Sequence, residues 1–204
     1  MDKVIYFADL THTGRGIHAS TFPLGMAYVA SYAQKKLGEG FSIKIFKFPE
    51  HLCTAIGEKP PDFLCFTNYC WNLELGHTIS RLAKERNPQL ITIFGGPNFP
   101  EAPAERKQFL QRRTAIDFYI QNEGEIGFVD LVQKLQQHNY DPDAFKQNKE
   151  AITNCVYLHD EELIQGPFQR ILDLNDIPSP YLAGIMDPFF EMPLTPMIET
   201  TRGC

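Results

Sequence analysis

The sequence predicts an α/β protein with a doubly wound parallel sheet, of the flavodoxin-like (Rossmann-like) class. Short apolar runs alternate with helical stretches between residues 3 and 138. This alternation is typical of parallel strands joined by helices that cover both faces of the sheet. Several of the runs are followed by turns rich in glycine, proline and polar residues. Because ligands of such folds bind at the carboxyl ends of the strands, these turns are the first candidates for a site.

Five apolar runs have the length and composition of buried strands. They are KVIYFA (3–8), FSIKIFKF (41–48), DFLCFTN (62–68), QLITIFGG (89–96) and IDFYIQN (116–122). Parallel strands need long crossover connections, and the stretches between these runs are long enough to supply them. We therefore expect a five-stranded sheet of order 2-1-3-4-5, whose switch point lies between the first and third strands.

Five helical stretches separate or follow these strands. They cover residues 23–38, 49–59, 73–87, 103–112 and 125–138. Pro23 suits the first turn of a helix, where its missing N–H has no partner to lose, and Gly38 suits the end of the same helix. The last stretch, EIGFVDLVQKLQQH, has the continuous apolar stripe of a helix that packs against a sheet.

The composition is that of an ordinary globular chain and excludes several classes of protein. Its 204 residues are 43% hydrophobic and 22% charged, which is enough to form a core in one or two domains. A net charge of -6 argues against a broad nucleic-acid surface. No apolar run reaches the ~18 residues of a membrane span. The five cysteines, with no C-x-x-C and no signal peptide ahead of them, predict free thiols in the cytoplasm.

The chain divides into three regions. Residues 1–140 form the predicted ligand-binding domain, 141–190 a linker, and 191–204 the start of a further unit. Within the linker, NCVYLHDEELIQGP suits a β-hairpin that turns near Asp160 and Glu161, and IPSP is rigid and extended. Residues 197–201 have the pattern of a strand that leads into a loop at Cys204.

Four turns carry the candidate ligand-binding residues. The turn over residues 9–22 is unusually long, and its Thr13 and Gly14 suit a phosphate. Gly95 and Gly96 allow a sharp bend against which a flat ligand could lie. The remaining turns are TNYCWN, with its exposed aromatic residues, and QNEGE. Structural roles stay open: a surface loop, turn formation, Trp71 packed on the next helix, or a favourable helix dipole at Glu125.

These stretches together resemble the N-terminal domain of the cobalamin-binding radical SAM proteins. The resemblance is carried in order by FPLGMAYVASYAQKKLG, PDFLCFTNYCWN, FGGPNFPE and DFYIQNEGEIGFVDLVQKL, then by LNDIPSPYLAGIMDPF and ETTRGC. It implies a cobalamin held at the switch point, with the aromatic residues shielding one face of the corrin. The residues that it assigns to the cofactor are Thr13, Gly14, Phe22, Pro23, Gly25, Asn68, Tyr69, Cys70, Trp71, Asn72, Gly95, Gly96, Pro97, Asn98, Glu123, Gly124 and Glu125.

The same resemblance gives a meaning to the last residues. In the family, the loop continues as C-x-x-x-C-x-x-C, whose thiolates hold a [4Fe–4S] cluster that binds S-adenosylmethionine. Cys204 matches the first of these cysteines. We therefore expect a fragment that ends at the start of a radical SAM barrel, its C-terminal partner domain. The full-length protein is then expected to be a methyltransferase acting on an unactivated carbon of a small-molecule or peptide substrate.

The sequence lacks the usual cobalt-binding histidine motif, and it leaves two alternative functions open. DLTHTG places Asp9, His12 and Gly14 near, but not at, the spacing of the D-x-H-x-x-G motif whose histidine binds cobalt, so a solvated loop histidine is the default. Two alternative functions remain. One is a flavin-binding electron-transfer module that uses Thr13 and Gly14 for phosphate and Tyr69 or Trp71 for stacking. The other is a docking domain without a cofactor.

Overall fold

The computed structural model describes residues 2–14, 16 and 19–202, and it has the predicted α/β fold. The elements are β1 (Lys3–Ala8), α1 (Leu24–Leu37), β2 (Phe41–Phe46), α2 (Pro49–Glu58), β3 (Phe63–Thr67), α3 (Leu73–Arg86), β4 (Ile91–Gly95), α4 (Pro103–Gln111), β5 (Phe118–Ile120), α5 (Gly124–Gln137), α6 (Pro142–Gln147), β6 (Cys155–His159) and β7 (Glu162–Gln165). Two short 3₁₀ helices follow, at Leu174–Asp176 and Asp187–Glu191. None of the helices in the described residues is long and apolar enough to cross a membrane.

The first five strands are parallel and have the predicted order 2-1-3-4-5. Ile5 in the middle of β1 lies opposite Ile43 of β2 and Phe63 of β3. The chain therefore leaves β1 toward one edge of the sheet and returns on its other side at β3. This reversal places a crevice at the carboxyl ends of β1 and β3.

The sheet has seven strands, so the prediction of five was incomplete. The hairpin expected in the linker does form, as β6 and β7, but it also joins the sheet: β6 pairs antiparallel with β5, and β7 with β6. Its inner strand is buried from Cys155 to Tyr157. The pairing covers the edge of β5, which at three residues would otherwise be a short and exposed edge strand.

Two further details differ from the prediction. Helix α6 was not predicted; the Asp141 carboxylate caps it by accepting hydrogen bonds from the backbone N–H groups of Asp143 and Ala144, both at 3.0 Å. The strand expected over residues 197–201 is not present, because within the described residues this segment has no neighbouring strand to pair with. Cys204 lies outside the described residues.

The core has two parts, one on each face of the sheet. Alternate residues of β1 point to opposite faces, so Ile5 and Phe7 pack with α1, α5 and α6, whereas Val4 and Tyr6 pack with α2, α3 and α4. The helices thus lie on both faces, as a doubly wound fold requires. Space for a ligand remains at the carboxyl ends of the strands, on the face that α1 and α5 cover.

A substitution at Gly166, directly after β7, tests how tightly the β6–β7 hairpin packs against the segment at Ile152. A Cβ at this position would lie 1.6 Å from the backbone oxygen of Ile152, so Gly166→Ala must displace the hairpin. We expect a loss of about 2–3 kcal/mol in the free energy of unfolding, the upper end for overpacking. The matched control is Gly57→Ala, at an exposed position near the end of α2. A Cβ there meets nothing within 4 Å, so this variant should be neutral or stabilising. Equal urea midpoints for the two variants would contradict this account.

Candidate functional site

A cavity of about 470 Å³ opens at the carboxyl ends of β1, β3, β4 and β5. It extends down between the sheet and the pair of helices α1 and α5, so it occupies the crevice that the strand order predicts. The turns after β3, β4 and β5 form part of its rim, at Tyr69, Gly96 and Glu123. The volume is in the range of pockets that hold small molecules or part of a larger cofactor.

The inner walls of the cavity are almost entirely apolar. The side chains that form them are Phe7 of β1, Cys65 of β3, Ile93 of β4, Ile120 of β5, Met26 and Val29 of α1, and Phe128 of α5. Phe66 and Phe94 also line the cavity, but their side chains belong to the core on the opposite face of the sheet. Burial raises the pKa of the Cys65 thiol well above its ordinary value, so this thiol is neutral at physiological pH. The walls therefore suit an uncharged, flat and largely apolar group.

Glycines form the part of the rim where the backbone must come close to other groups. Gly96 has φ +124°, and a Cβ there would lie 2.9 Å from the backbone oxygen of Asn68, so no other residue fits without strain. A Cβ at Gly124 would lie 2.9 Å from a methyl group of Val29. Gly25 differs from both, because a Cβ there meets nothing within 4 Å and a side chain would extend into free space.

A buried network of hydrogen bonds holds the rim between β3 and β4. The Asn68 amide donates to the Tyr119 hydroxyl at 2.9 Å, and that hydroxyl donates to the Gly96 oxygen at 2.9 Å. Asn98 donates to the Asn68 side-chain oxygen at 3.0 Å. Burial raises the pKa of Tyr119, so its hydroxyl keeps its proton and remains a donor. Asn68 and Asn98 thus shape the rim from behind and do not line the cavity.

The turn after β3 presents two stacked aromatic rings. The rings of Tyr69 and Trp71 are parallel to within 3°, and their centres lie 4.5 Å apart. Tyr69 lines the cavity, whereas the Trp71 side chain is 45% exposed. Burial and the nearby carboxylate of Asp9 raise the pKa of Tyr69, so its hydroxyl is neutral. A half-buried tyrosine stacked on an exposed tryptophan beside an apolar cavity forms a flat surface against which a ring system can pack.

A polar network under this turn fixes its shape. The Asp9 carboxylate pairs with the Lys47 ammonium at 2.8 Å and accepts a hydrogen bond from the Thr67 hydroxyl at 2.7 Å. Asn72 donates to the same hydroxyl at 3.0 Å and accepts from the Tyr69 N–H at 2.8 Å. The ends of β1, β2 and β3 are thereby connected to the turn that carries Tyr69 and Trp71, which we call the aromatic turn.

Charged residues lie at the mouth of the cavity, where they pair with one another. Arg202 donates to the Glu125 carboxylate at 2.7 Å, and Arg170 lies 3.4 Å from the Glu123 carboxylate. Phe168 covers another part of the mouth and is 63% exposed. Each positive charge at the mouth is therefore matched by a carboxylate, which leaves little net charge for a ligand to neutralise.

The structure brings many of the predicted cofactor residues together. Those that line the cavity are Gly25, Tyr69, Gly95, Gly96, Glu123, Gly124 and Glu125. Those that do not are Thr13, Gly14, Phe22, Pro23, Asn68, Cys70, Trp71, Asn72, Pro97 and Asn98. Phe22 packs instead with Met186 and Phe189 in a separate small core, which holds the start of α1 against the linker.

In the described part of the long first turn (residues 9–14, 16 and 19–22), Thr13 is engaged with a carboxylate and is not free to bind a phosphate. The Thr13 hydroxyl donates to the Glu50 carboxylate, and this hydrogen bond lowers the pKa of Glu50. A carboxylate at this position would repel a phosphate, so the flavin alternative loses the loop on which it depended. His12 Nε2 lies 2.6 Å from the backbone oxygen of Trp71 and does not line the cavity.

The described residues contain no group of three or more His, Cys, Asp or Glu side chains that could hold a metal ion. Cys65 and Cys155 are buried, and Cys53 and Cys70 are exposed; all are free thiols. The predicted cluster ligand, Cys204, lies outside the described residues. A cluster site within this part of the chain is therefore not formed.

Sequence reasoning did not find two features of the site. The sequence predicts the apolar walls as core, because a strand residue that faces a cavity is of the same apolar type as one that faces a helix. No sequence pattern predicts that Arg202 and Arg170 lie at the mouth of the cavity. The available signal was Glu125: an acidic residue on the apolar face of α5 needs a partner if it is buried.

Comparisons with known proteins agree with this geometry. The family model of the B12 binding domain matches residues 15–132. The cobalamin-dependent radical SAM methyltransferase TokK of Streptomyces tokunonensis is 31% identical over 218 residues, which cover 97% of this chain and 30% of TokK. The 2-(S-pantetheinyl)-carbapenam-3-carboxylate methyltransferase of Streptantibioticus cattleyicolor is 29% identical over 202 residues, which cover 93% of this chain and 28% of that enzyme.

A solved structure shows the same fold. The cobalamin-dependent S-adenosylmethionine radical enzyme OxsB, with aqua-cobalamin and S-adenosylmethionine bound, superposes with a TM-score of 0.69 at 16% identity. The match covers 100% of this chain and 27% of OxsB. The chain thus spans less than a third of the length of these relatives.

Proposed function

Because the chain belongs to the B12 binding domain family, we propose that it holds cobalamin in the cavity at the carboxyl ends of β1, β3, β4 and β5. The observation that carries this proposal is the position and lining of the cavity: it lies at the switch point, has apolar walls and a glycine rim. A bound cobalamin supplies methyl-transfer chemistry. The residues of this chain bind it, orient it and exclude water from it.

The lining fits the two parts of the cofactor in different places. The nucleotide tail of cobalamin ends in a flat aromatic base, which suits the apolar walls formed by Phe7, Ile93 and Phe128. The corrin ring is too wide to be enclosed in about 470 Å³, so the residues at the mouth of the cavity would hold it. There the glycine rim at Gly95 and Gly96 allows a close approach, since neither residue has a side chain that would hold the ring away.

The aromatic turn has a defined role in this arrangement. The stacked rings of Tyr69 and Trp71 shield one face of the corrin from water. The described residues that line the cavity include no histidine. The His12 ring is hydrogen-bonded to the backbone oxygen of Trp71 and helps to fix the conformation of the aromatic turn.

We further propose that this domain works within a longer radical SAM methyltransferase. The support is the likeness over nearly the whole chain to two methyltransferases that are more than three times as long. In this proposal Cys204 is the first of three cluster ligands, S-adenosylmethionine binds to the cluster, and the substrate carbon lies in the partner domain. The coding sequence after Cys204 tests this directly, because it must continue the C-x-x-x-C-x-x-C pattern.

Retention of hydroxocobalamin by the purified chain tests the cofactor. We expect a corrin spectrum that stays with the protein through gel filtration, in equimolar amount. Trp71 is the single tryptophan, and cobalamin absorbs where tryptophan emits. We therefore also expect the emission of Trp71 to fall as hydroxocobalamin is added, which gives an affinity from a titration.

The same measurement with FMN separates the alternatives. Retained FMN without retained cobalamin would support the flavin-binding module. Retention of neither would leave a docking domain without a cofactor, and the proposal would be wrong.

A further inference from the structure

The segment over residues 194–202, which we call the anchor segment, is tied to the cofactor domain at two points and to the linker at a third. The backbone oxygen of Thr195 accepts from the N–H of Phe22 at 2.9 Å, just before α1. The N–H of Met197 donates to the Tyr181 hydroxyl at 3.2 Å. The last point is the side chain of Arg202, which reaches into the cavity wall itself.

The Arg202 contact is more elaborate than a surface ion pair. Its guanidinium donates to Glu125 at 2.7 Å and binds both carboxylate oxygens of Glu199, at 3.1 and 3.2 Å. It also lies 5.3 Å from the centre of the Tyr28 ring on α1. Burial alone would lower the pKa of Arg202, but the bonds to the two carboxylates outweigh it and raise that pKa.

The buried carboxylate of Glu125 depends on Arg202 for its counter-charge. Its side chain is 4% exposed, and among the described residues Arg202 is the one side chain that pairs with it. Without Arg202, a carboxylate in the first turn of α5 would face an apolar cavity unpaired. A water-filled cavity still solvates such a charge in part, whereas a cavity filled by a ligand does not.

We propose that the Glu125–Arg202 pair couples occupancy of the cofactor cavity to docking of the anchor segment, so that cobalamin and the anchor segment stabilise each other. The inference rests on the proposed cofactor. Filling the cavity removes water from around Glu125, and this penalises the state in which Arg202 has left. Bound cobalamin therefore favours the docked segment, and by reciprocity the docked segment favours bound cobalamin. Arg202 acts here as a positioning residue for the chain that leads to Cys204.

The test measures two quantities on the 204-residue chain. The first is the dissociation constant of hydroxocobalamin, from quenching of Trp71. The second is the hydrogen exchange of the peptide that covers the anchor segment, with and without hydroxocobalamin. In the wild type we expect exchange to slow on binding. In Arg202→Gln we expect fast exchange in both states and about tenfold weaker binding, within the ordinary range of coupling between sites.

Further variants separate coupling from a general loss of structure. Arg202→Lys keeps the charge but not the bidentate geometry, and should recover part of the affinity for hydroxocobalamin that Arg202→Gln loses. Glu125→Gln with Arg202→Gln removes the unpaired charge, so affinity should return toward that of the wild type while the segment stays undocked. The matched control is Arg113→Gln: its side chain is 20% exposed, against 19% for Arg202, and pairs with Glu74 at 2.8 Å away from the cavity.

The outcomes are distinct. If the wild type retains no hydroxocobalamin, the proposed function fails and this inference fails with it. If the wild type binds but Arg202→Gln matches Arg113→Gln in affinity and in exchange, the coupling alone is overturned. Loss of binding in Arg202→Gln that the double variant does not relieve would also overturn it, because the unpaired Glu125 charge would then not be the cause.

Discussion

Gly25→Leu is expected to weaken the binding of hydroxocobalamin at least 100-fold while the chain stays folded. Gly25 is the second residue of α1 and lines the cavity, and a Cβ there meets no atom within 4 Å. A leucine side chain would therefore enter the space that the cofactor needs, without a clash inside the protein. A 100-fold loss corresponds to about 2.8 kcal/mol of binding free energy.

The stability of this variant should not fall. Leucine is a better helix former than glycine by up to about 1 kcal/mol, so the thermal midpoint should equal or slightly exceed that of the wild type. Gly57→Leu is the matched control, since Gly57 is an equally unobstructed helical glycine on the exposed side of α2, far from the cavity lining. Hydroxocobalamin binding by Gly25→Leu at wild-type affinity would show that the cofactor does not occupy this cavity.

The parallel part of the fold follows from the sequence because each strand is a local signal. Runs such as KVIYFA and DFLCFTN are buried on both faces, and their alternation with helices leaves few topologies for the sheet. The attachment of the hairpin does not follow in the same way. It depends on contacts distant in sequence, such as the hydrogen bond from the Gln121 N–H to the Asn154 oxygen at 2.7 Å.

The contrast between local signals and contacts distant in sequence also explains which features of the site the sequence predicts. The bend at Gly95 and Gly96 is visible as a pair of glycines, and the φ of +124° at Gly96 restricts that position to glycine. The ion pair of Glu125 with Arg202 is not visible, since 77 residues separate the partners and neither belongs to a recognisable pair in the sequence. Asp9 is intermediate: its position directly after β1 is informative, but its partner Lys47 is apparent only in the folded chain.

The network around Asp9 connects stability to the shape of the site. The Lys47 side chain is 2% exposed, and among the described residues Asp9 is the one acidic group that pairs with it. Removing the carboxylate leaves a buried ammonium without a counter-charge and the Thr67 hydroxyl without its acceptor. Breaking a buried pair in this way is far more costly than removing both of its members.

Asp9→Ala is therefore expected to lower the free energy of unfolding by about 3–5 kcal/mol. Urea denaturation followed by circular dichroism measures this loss. Because Thr67 and Asn72 link Asp9 to the aromatic turn, we also expect the emission of Trp71 in the folded variant to shift to the red as the turn loosens. The variant should bind hydroxocobalamin more weakly for the same reason.

The double variant Asp9→Ala with Lys47→Met removes both charges, and should recover most of the lost stability but not the emission of the ordered turn. This combination of results would show that the lost free energy of unfolding comes from the unpaired buried charge. It would also show that the hydrogen bonds of Asp9 determine the conformation of the aromatic turn. Lys3→Met is the control: Lys3 also pairs with an aspartate, Asp62 at 2.7 Å, but both side chains are 33% exposed, so its loss should change stability by less than about 1 kcal/mol. Equal losses in the single and double variants would mean that Lys47 tolerates burial alone, and the network would then not hold the turn through its charge.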